Sequence, residues 1–273
     1  MNVVFIATLL FYMLSSAGYL SYLFLQKDFL QKAASLLLLS GFVCHTLVIA
    51  EAAVRTGTVP VNNMHETLSI TAWTTAGVFI LLQFKYRLKI LGIYAAPLVT
   101  LVMVVSSWMP KAPFQNQGLL KSFWLAAHII MVFIGDAAFA LACGIGILYL
   151  VQEHTIKNKK RGFFFSRLPS LDLLDTTGYA CVVTGFSFLT IGLVIGVIYA
   201  KSVWGHFWTW DPKEVWSAIT WVFYAAMLHI RIAWGWGGRR SAVMAIIGFI
   251  VLLFTFFGVN FLLKGHHGQF TSK

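Results

Sequence analysis

The segment Trp204-Gly205-His206-Phe207-Trp208-Thr209-Trp210-Asp211-Pro212-Lys213-Glu214-Val215-Trp216 sets four tryptophans among three formal charges, between two long apolar runs. A membrane interface holds tryptophans as anchors. Anchoring gives no reason to interleave four of them with Asp211, Lys213 and Glu214. A flat amphipathic ligand does. Aromatic faces suit its ring, and N–H and ammonium groups suit carboxylates at its edge. Haem is the common ligand of that kind in a membrane.

Eight histidines accompany this loop: His45, His65, His128, His154, His206, His229, His266 and His267. A lone histidine in a membrane span is usually a hydrogen-bonding partner between helices. Position changes that reading for three places. His128 lies near the start of an apolar run, and His266 and His267 lie just beyond the end of the last one. If those ends share one membrane face with the tryptophans, opposed imidazoles and an aromatic platform meet at one depth. That is the arrangement bis-histidine haem ligation requires. His229 sits well inside its run, where an ionisable group is a functional hypothesis by default. It needs a partner, either His45 or a histidine of another subunit; a neutral ring bonded to a backbone carbonyl is the structural alternative. His154 reads as solvated. His65 and His206 are able to line the site or to be ordinary surface residues.

These residues need elements to position them. The chain is 59% hydrophobic and 11% charged, with a mean hydropathy of +0.80. Soluble domains carry about 25% charged residues. Apolar runs long enough to cross about 30 Å of hydrocarbon recur along the chain. The expected fold class is an all-α polytopic membrane protein of about eight spans, at 3–25, 33–54, 66–84, 90–108, 123–151, 177–199, 217–234 and 241–263, since helices satisfy their backbone internally. The chain reads as a single integral membrane domain, 1–273, with the tryptophan loop at 201–216. The first run has no basic residue before it and no small-residue cleavage site after it, so it is expected to be a retained span.

The linkers alternate in charge. Lys27, Lys32, Lys85, Arg87, Lys89, Lys157, Lys159, Lys160, Arg161, Arg167, Arg231, Arg239 and Arg240 fall on one side, thirteen against seven on the other. The positive-inside rule puts the thirteen in the cytoplasm, so both termini and the tryptophan loop are expected outside. The formal charge of +11 is then mostly membrane anchoring, and no nucleic-acid partner is expected. Cys44, Cys143 and Cys181 form no Cys-x-x-Cys pair, which argues against thiol–disulfide chemistry in this chain. No Cys-x-x-Cys-His is present, so no covalently attached haem of its own is expected. Asp136, two turns past His128 in an apolar stretch, reads as a second-shell acceptor, a proton-handling group or a structural hydrogen-bonder. Asn63 and Glu66 fit a helix cap. Leu171 to Asp175 is expected to form an amphipathic turn before the sixth span. Lys201, Lys213 and Arg55 are candidate cations for haem propionates or, equally, solvated loop charges.

The motif Trp204-Gly205-x-x-Trp208-x-Trp210-Asp211-x-Lys213-Glu214-x-Trp216 resembles the tryptophan-rich WWD signature of haem-handling proteins, and its Asp-x-Lys-Glu variant most closely the CcsA (ResC) family of system II cytochrome c biogenesis. Gly57-x-x-Pro60-x-x-Asn63-x-x-Glu66-Thr67-Leu68 is similar to that family's first outer loop. Asn260-Phe261-Leu262-Leu263-x-Gly265-x-His267 is similar to its C-terminal histidine motif and favours His267 over His266. Gly268 and Gln269 stand where the family usually has a serine and an aromatic.

The resemblance implies a function. With a CcsB (ResB) membrane partner, such a protein binds non-covalent b-type haem, carries it to the outer face and presents it for thioether attachment to the Cys-x-x-Cys-His of an apocytochrome c. His128 and His267 match the outer axial ligands and His229 an inner one. Trp204, Trp208, Trp210, Asp211, Lys213, Glu214 and Trp216 match the platform. No residue of this chain is assigned a catalytic role; the chain would be a subunit of a cytochrome c synthase, with thiol reduction supplied by other proteins. The implied location is a bacterial plasma membrane or the thylakoid equivalent, with membrane lipid around it. A regulator of haem synthesis similar to HemX, and a haem transporter without an attachment role, are the alternatives.

Overall fold

In the computed structural model, which describes residues 3–111, 122–159 and 162–258, every regular element among the described residues is helical. In chain order these are α1 Val3–Leu25, α2 Asp28–Thr56, α3 Met64–Tyr86, α4 Gly92–Trp108, α5 Phe123–Lys157, α6 Leu171–Trp204, α7 Pro212–Trp234 and α8 Arg239–Leu253. A 3₁₀ turn, Lys89–Leu91, leads into α4, and α8 runs on into a π-helical turn, Phe254–Gly258. Among the described residues eight helices are long and apolar enough to cross a membrane. They match the eight expected spans.

The ends differ from expectation most at α5 and α6, and α2 and α7 each begin five residues earlier than expected. A hydropathy window registers only the apolar part of a helix, whereas capping sets its length. Ser170 caps α6, its Oγ accepting from the Leu173 N–H at 3.3 Å. Leu171 to Asp175 are therefore the first turn of α6 and not a separate amphipathic turn. At the other end Gly205 adopts φ +78°, a left-handed conformation that costs glycine nothing and stops the helix at Trp204.

The helices pack in two groups. α1 lies against α2 and α4, and α3 against α4; α5 touches α3 on one side and pairs along its length with α6, with α8 beside it. α7 is the most loosely held, meeting α6 and α8. Without a hydrophobic drive in lipid, helices associate where small residues let backbones approach. Gly135 on α5 and Gly185 on α6 do this: a Cβ on either would stand 3.0 Å from a carbonyl oxygen of the other helix. At the strongly basic face Asp175 takes a bidentate ion pair from Arg231 at 2.6 and 2.9 Å and accepts the Gly238 N–H at 2.8 Å, tying α6 to the α7–α8 turn.

Candidate functional site

Alternation of eight helices brings the starts of α1, α3, α5 and α7 and the ends of α2, α4 and α6 to one face, with the tryptophan loop. On this face α6 carries Gly192-x-x-x-Gly196 toward α5. The bare backbone there forms a slot for the His128 ring. His128 Nδ1 donates to the Gly192 carbonyl at 2.7 Å, and a Cβ on Gly196 would stand 2.7 Å from His128 Cε1 and Nδ1. A histidine whose Nδ1–H is given to a backbone carbonyl has its tautomer fixed and presents the lone pair of Nε2, the usual second-shell arrangement of a metal-ligating imidazole. The donor set therefore fits a haem iron at His128. The glycine pair is the feature sequence reasoning missed, and its four-residue spacing was the available signal.

The loop beyond Trp204 is braced by its own charges. Asp211 caps α7, its Oδ1 accepting from the Lys213 N–H at 2.9 Å. Glu214 accepts from the Thr209 N–H at 2.8 Å and from Thr209 Oγ1 at 3.0 Å, closing the turn. Lys201 donates to the Gly205 carbonyl at 2.6 Å and stands over the Phe207 ring. Arg55 is paired with Glu51. Lys213 lies within electrostatic range of Asp211, Asp136 and His128. Of the three cations expected for propionates, Lys201 and Arg55 thus have partners within the protein, and Lys213 faces acids.

Trp208 and Trp210 meet edge to face with centroids 5.8 Å apart, and Trp204, Phe207, Trp208 and Trp210 are all exposed. Trp210 holds φ +60°, a conformation that costs a bulky L-residue about 1–2 kcal/mol. The Asp211 cap and the Glu214–Thr209 bonds on either side of it hold that conformation. Trp216 turns the other way and packs on Phe254 at 4.4 Å.

The other expected residues are placed as follows. Asp136 is half-buried on α5, makes no hydrogen bond among the described residues and has Lys213 in electrostatic range. Asn63 caps α3 as expected, accepting the Glu66 N–H at 2.9 Å, but Glu66 reaches back to the N–H of Asn62, one residue before the cap. His45 is fully buried with both nitrogens engaged, Nδ1 with Tyr12 OH at 3.2 Å and Nε2 with Ser69 Oγ at 2.8 Å. It is a packing residue, and the structure does not bring it to His229. His229 faces outward from α7, and His154, bonded to Asn158, and His206 are exposed. His266 and His267, with the rest of the C-terminal motif, lie outside the described residues.

The family of cytochrome c assembly proteins matches residues 61–267, which take in the loop, His128 and the glycine slot. The chain belongs to this cytochrome c assembly protein family. Two relatives described as cytochrome c biogenesis protein CcsA support the assignment. The one from Guillardia theta is 32% identical over 241 residues, covering 81% of this chain and 80% of that protein. The one from Chlorella vulgaris is 32% identical over 260 residues, covering 84% and 82%. The solved structure of cytochrome c haem lyase CcmF shares the fold, with a TM-score of 0.66 and 16% identity over 98% of this chain. The present chain spans 48% of that longer one. The protein is thus a multi-pass membrane component of cytochrome c biogenesis, and haem handling follows from the family.

Proposed function

We propose that this chain holds haem b at its tryptophan face and, with a CcsB-like membrane partner, presents it to apocytochrome c as the haem-bearing subunit of a cytochrome c synthase. The observation that carries this reading is the His128 ring, locked by the Gly192 carbonyl, with Nε2 in no hydrogen bond among the described residues and Lys213 at the start of α7 within electrostatic range. His128 would bind one face of the iron and His267 the other. Trp204, Trp208 and Trp210 offer their exposed rings to the porphyrin. Asp211 and Glu214 shape the loop, and Trp216 anchors it to the π turn after α8. Coordination and stacking suit a carrier that must release its cargo, because both are reversible.

The haem is substrate here. Each cysteine of the apocytochrome adds its S–H across one vinyl group: sulfur bonds to one vinyl carbon, the hydrogen goes to the other, and no net oxidation occurs. The apocytochrome histidine then replaces one axial imidazole. Reduced thiols and iron come from other proteins, since Cys44, Cys143 and Cys181 are scattered and none is paired.

The assignment is tested by haem content and reduced spectra of the purified protein. His128→Ala and His267→Ala are each expected to lower bound haem and shift its bands, with His266→Ala having the smaller effect. Unchanged haem and bands in both would overturn the outer-ligand reading.

The loop is expected to face the periplasm or its equivalent. A cysteine at exposed His206, in a background without the three native cysteines, should react with a membrane-impermeant thiol reagent before the plasma membrane is opened. Reaction only after lysis would reverse the orientation.

His229 is assigned to haem entry. It lies seventeen positions after Pro212, about 25 Å along the helix from the tryptophan face, too far for a direct part in thioether formation. Its outward exposure suits a partner's ligand. His229→Gly is expected to lower total haem, and imidazole added to cells should restore holocytochrome c. Normal haem and normal maturation in that variant would leave His229 without a part in haem entry.

A further inference from the structure

The tryptophan face has a cavity that this reading does not use. It lies between the end of α2 and the start of α3, with a volume of about 340 Å³. α2 and α3 are linked deeper in the bundle, by His45 to Ser69 and by Trp73 to Thr46, and the cavity opens above these contacts. Phe5, Val48, Ile49 and Ile70 supply apolar walls, and Arg55, His65, Glu66 and Lys111 supply charge and hydrogen-bonding capacity.

The polar groups are incompletely used. Arg55 is paired with Glu51. Lys111 is in no ion pair among the described residues and stands 5.9 Å from the Phe5 ring centroid. Glu66 commits Oε2 to the backbone and side-chain amides of Asn62, both at 2.8 Å, and its Oε1 makes no hydrogen bond among the described residues. His65 donates from Nδ1 to the Ser106 carbonyl at 2.7 Å, and the Ser106 hydroxyl donates to the His65 carbonyl at 2.8 Å. The ring is fixed, and Nε2 is left as an acceptor. Lys111 and Glu66 both lie within electrostatic range of that ring.

Beside the Arg55–Glu51 pair, which also lines the cavity, one further cation, two acceptors and an apolar wall at the end of three membrane spans match a zwitterionic headgroup above acyl chains. We propose that the cavity binds a phospholipid with a primary-amine headgroup, its phosphate against Lys111 and its ammonium against Glu66 Oε1 and His65 Nε2. The chains continue down the apolar wall toward the lipid-facing side of α2, where Leu47 and Val54 are exposed. Seated there, the lipid fills the gap between α2 and α3. This inference goes beyond the haem reading and does not depend on it.

The experiment uses the full chain purified in detergent. Phospholipid retained per chain is measured by mass spectrometry, and melting is followed with added ethanolamine-headgroup lipid, choline-headgroup lipid or soluble phosphoethanolamine. The wild type is expected to retain ethanolamine lipid and to melt several degrees higher when it is added. The choline lipid, whose ammonium cannot donate a hydrogen bond, should give a smaller shift, and soluble phosphoethanolamine none. Lys111→Gln with His65→Phe should abolish both retention and shift at unchanged helicity. Lys111→Gln alone, at an exposed side chain, keeps the fold and should lose most of the shift. Equal retention in Lys111→Gln, an equal shift from choline lipid, or a full shift from soluble phosphoethanolamine would each overturn the proposal.

Discussion

Replacing His128 by alanine is expected to abolish holocytochrome c formation in cells that depend on this protein, and to lower co-purifying haem at least tenfold. About ten- to hundredfold is lost when only the hydrogen-bonding partner of a metal-ligating histidine is removed, so loss of the ligand should cost no less. Two further variants separate ligation from folding. In His128→Gly the slot beside Gly192 and Gly196 is vacant, and added imidazole should restore haem. In Gly196→Ala no ligating atom changes, yet the new Cβ would stand 2.7 Å from the ring, so the ring must move. Haem should fall in Gly196→Ala while the protein still accumulates. Full haem occupancy in both Gly196→Ala and His128→Ala would mean that this slot is a packing feature of α5 on α6.

Gly92→Ala should have a large effect on stability. A Cβ at Gly92, the first residue of α4, would stand 2.2 Å from Tyr19 Cε1 and 2.3 Å from Cδ1. Tyr19 is fully buried, and its hydroxyl donates to Gln83 Oε1 at 2.7 Å, while Gln83 Nε2 donates to Ser35 Oγ at 3.0 Å. The ring has nowhere to move without breaking that chain. Overpacking of this kind costs about 1–3 kcal/mol, and a buried hydroxyl left unpaired adds about 1–3 kcal/mol. Melting in detergent should drop sharply, and accumulation in the membrane should fall. Tyr19→Leu added to Gly92→Ala should recover part of the loss, because contacting residues do not act additively. A wild-type melting point in Gly92→Ala would show that α1 and α4 do not meet there.

The spans and the tryptophan loop were legible from the sequence because hydropathy and residue type are properties of the chain itself. What each loop residue touches was not. Asp211 and Glu214 read as ligand-facing charges, and in the fold they form a cap and a brace. Lys201 read as a propionate cation, and in the fold its ammonium holds the end of α6. Trp216 shares the motif with Trp210, but the fold sends one ring to the π turn after α8 and the other to the surface. His45 and His128 are both membrane histidines, and only three-dimensional packing separates the one with two side-chain partners from the one whose Nε2 makes no hydrogen bond among the described residues. The full length of α6 depended on Ser170 and Gly205, which a window of apolar residues averages away. The Gly192–Gly196 spacing was readable, and it is the signal that locates the His128 slot.

The unequal heights of α6 and α7 have a geometric consequence. Trp221 Nε1 donates to Thr190 Oγ1 at 2.8 Å, which sets the two helices in register. Counted from that bond, Trp204 stands about five residues above Pro212, roughly 7 Å at the helical rise. The segment from Gly205 to Asp211 is therefore a ramp descending from the top of α6 to the start of α7. A planar molecule laid on it is tilted, with one edge raised at Trp204 and the other lowered toward Lys213. Its two edges then differ in exposure to water, and a polypeptide arriving from solution meets the raised edge first. Tilt alone can impose an order on two otherwise equivalent bond-forming events.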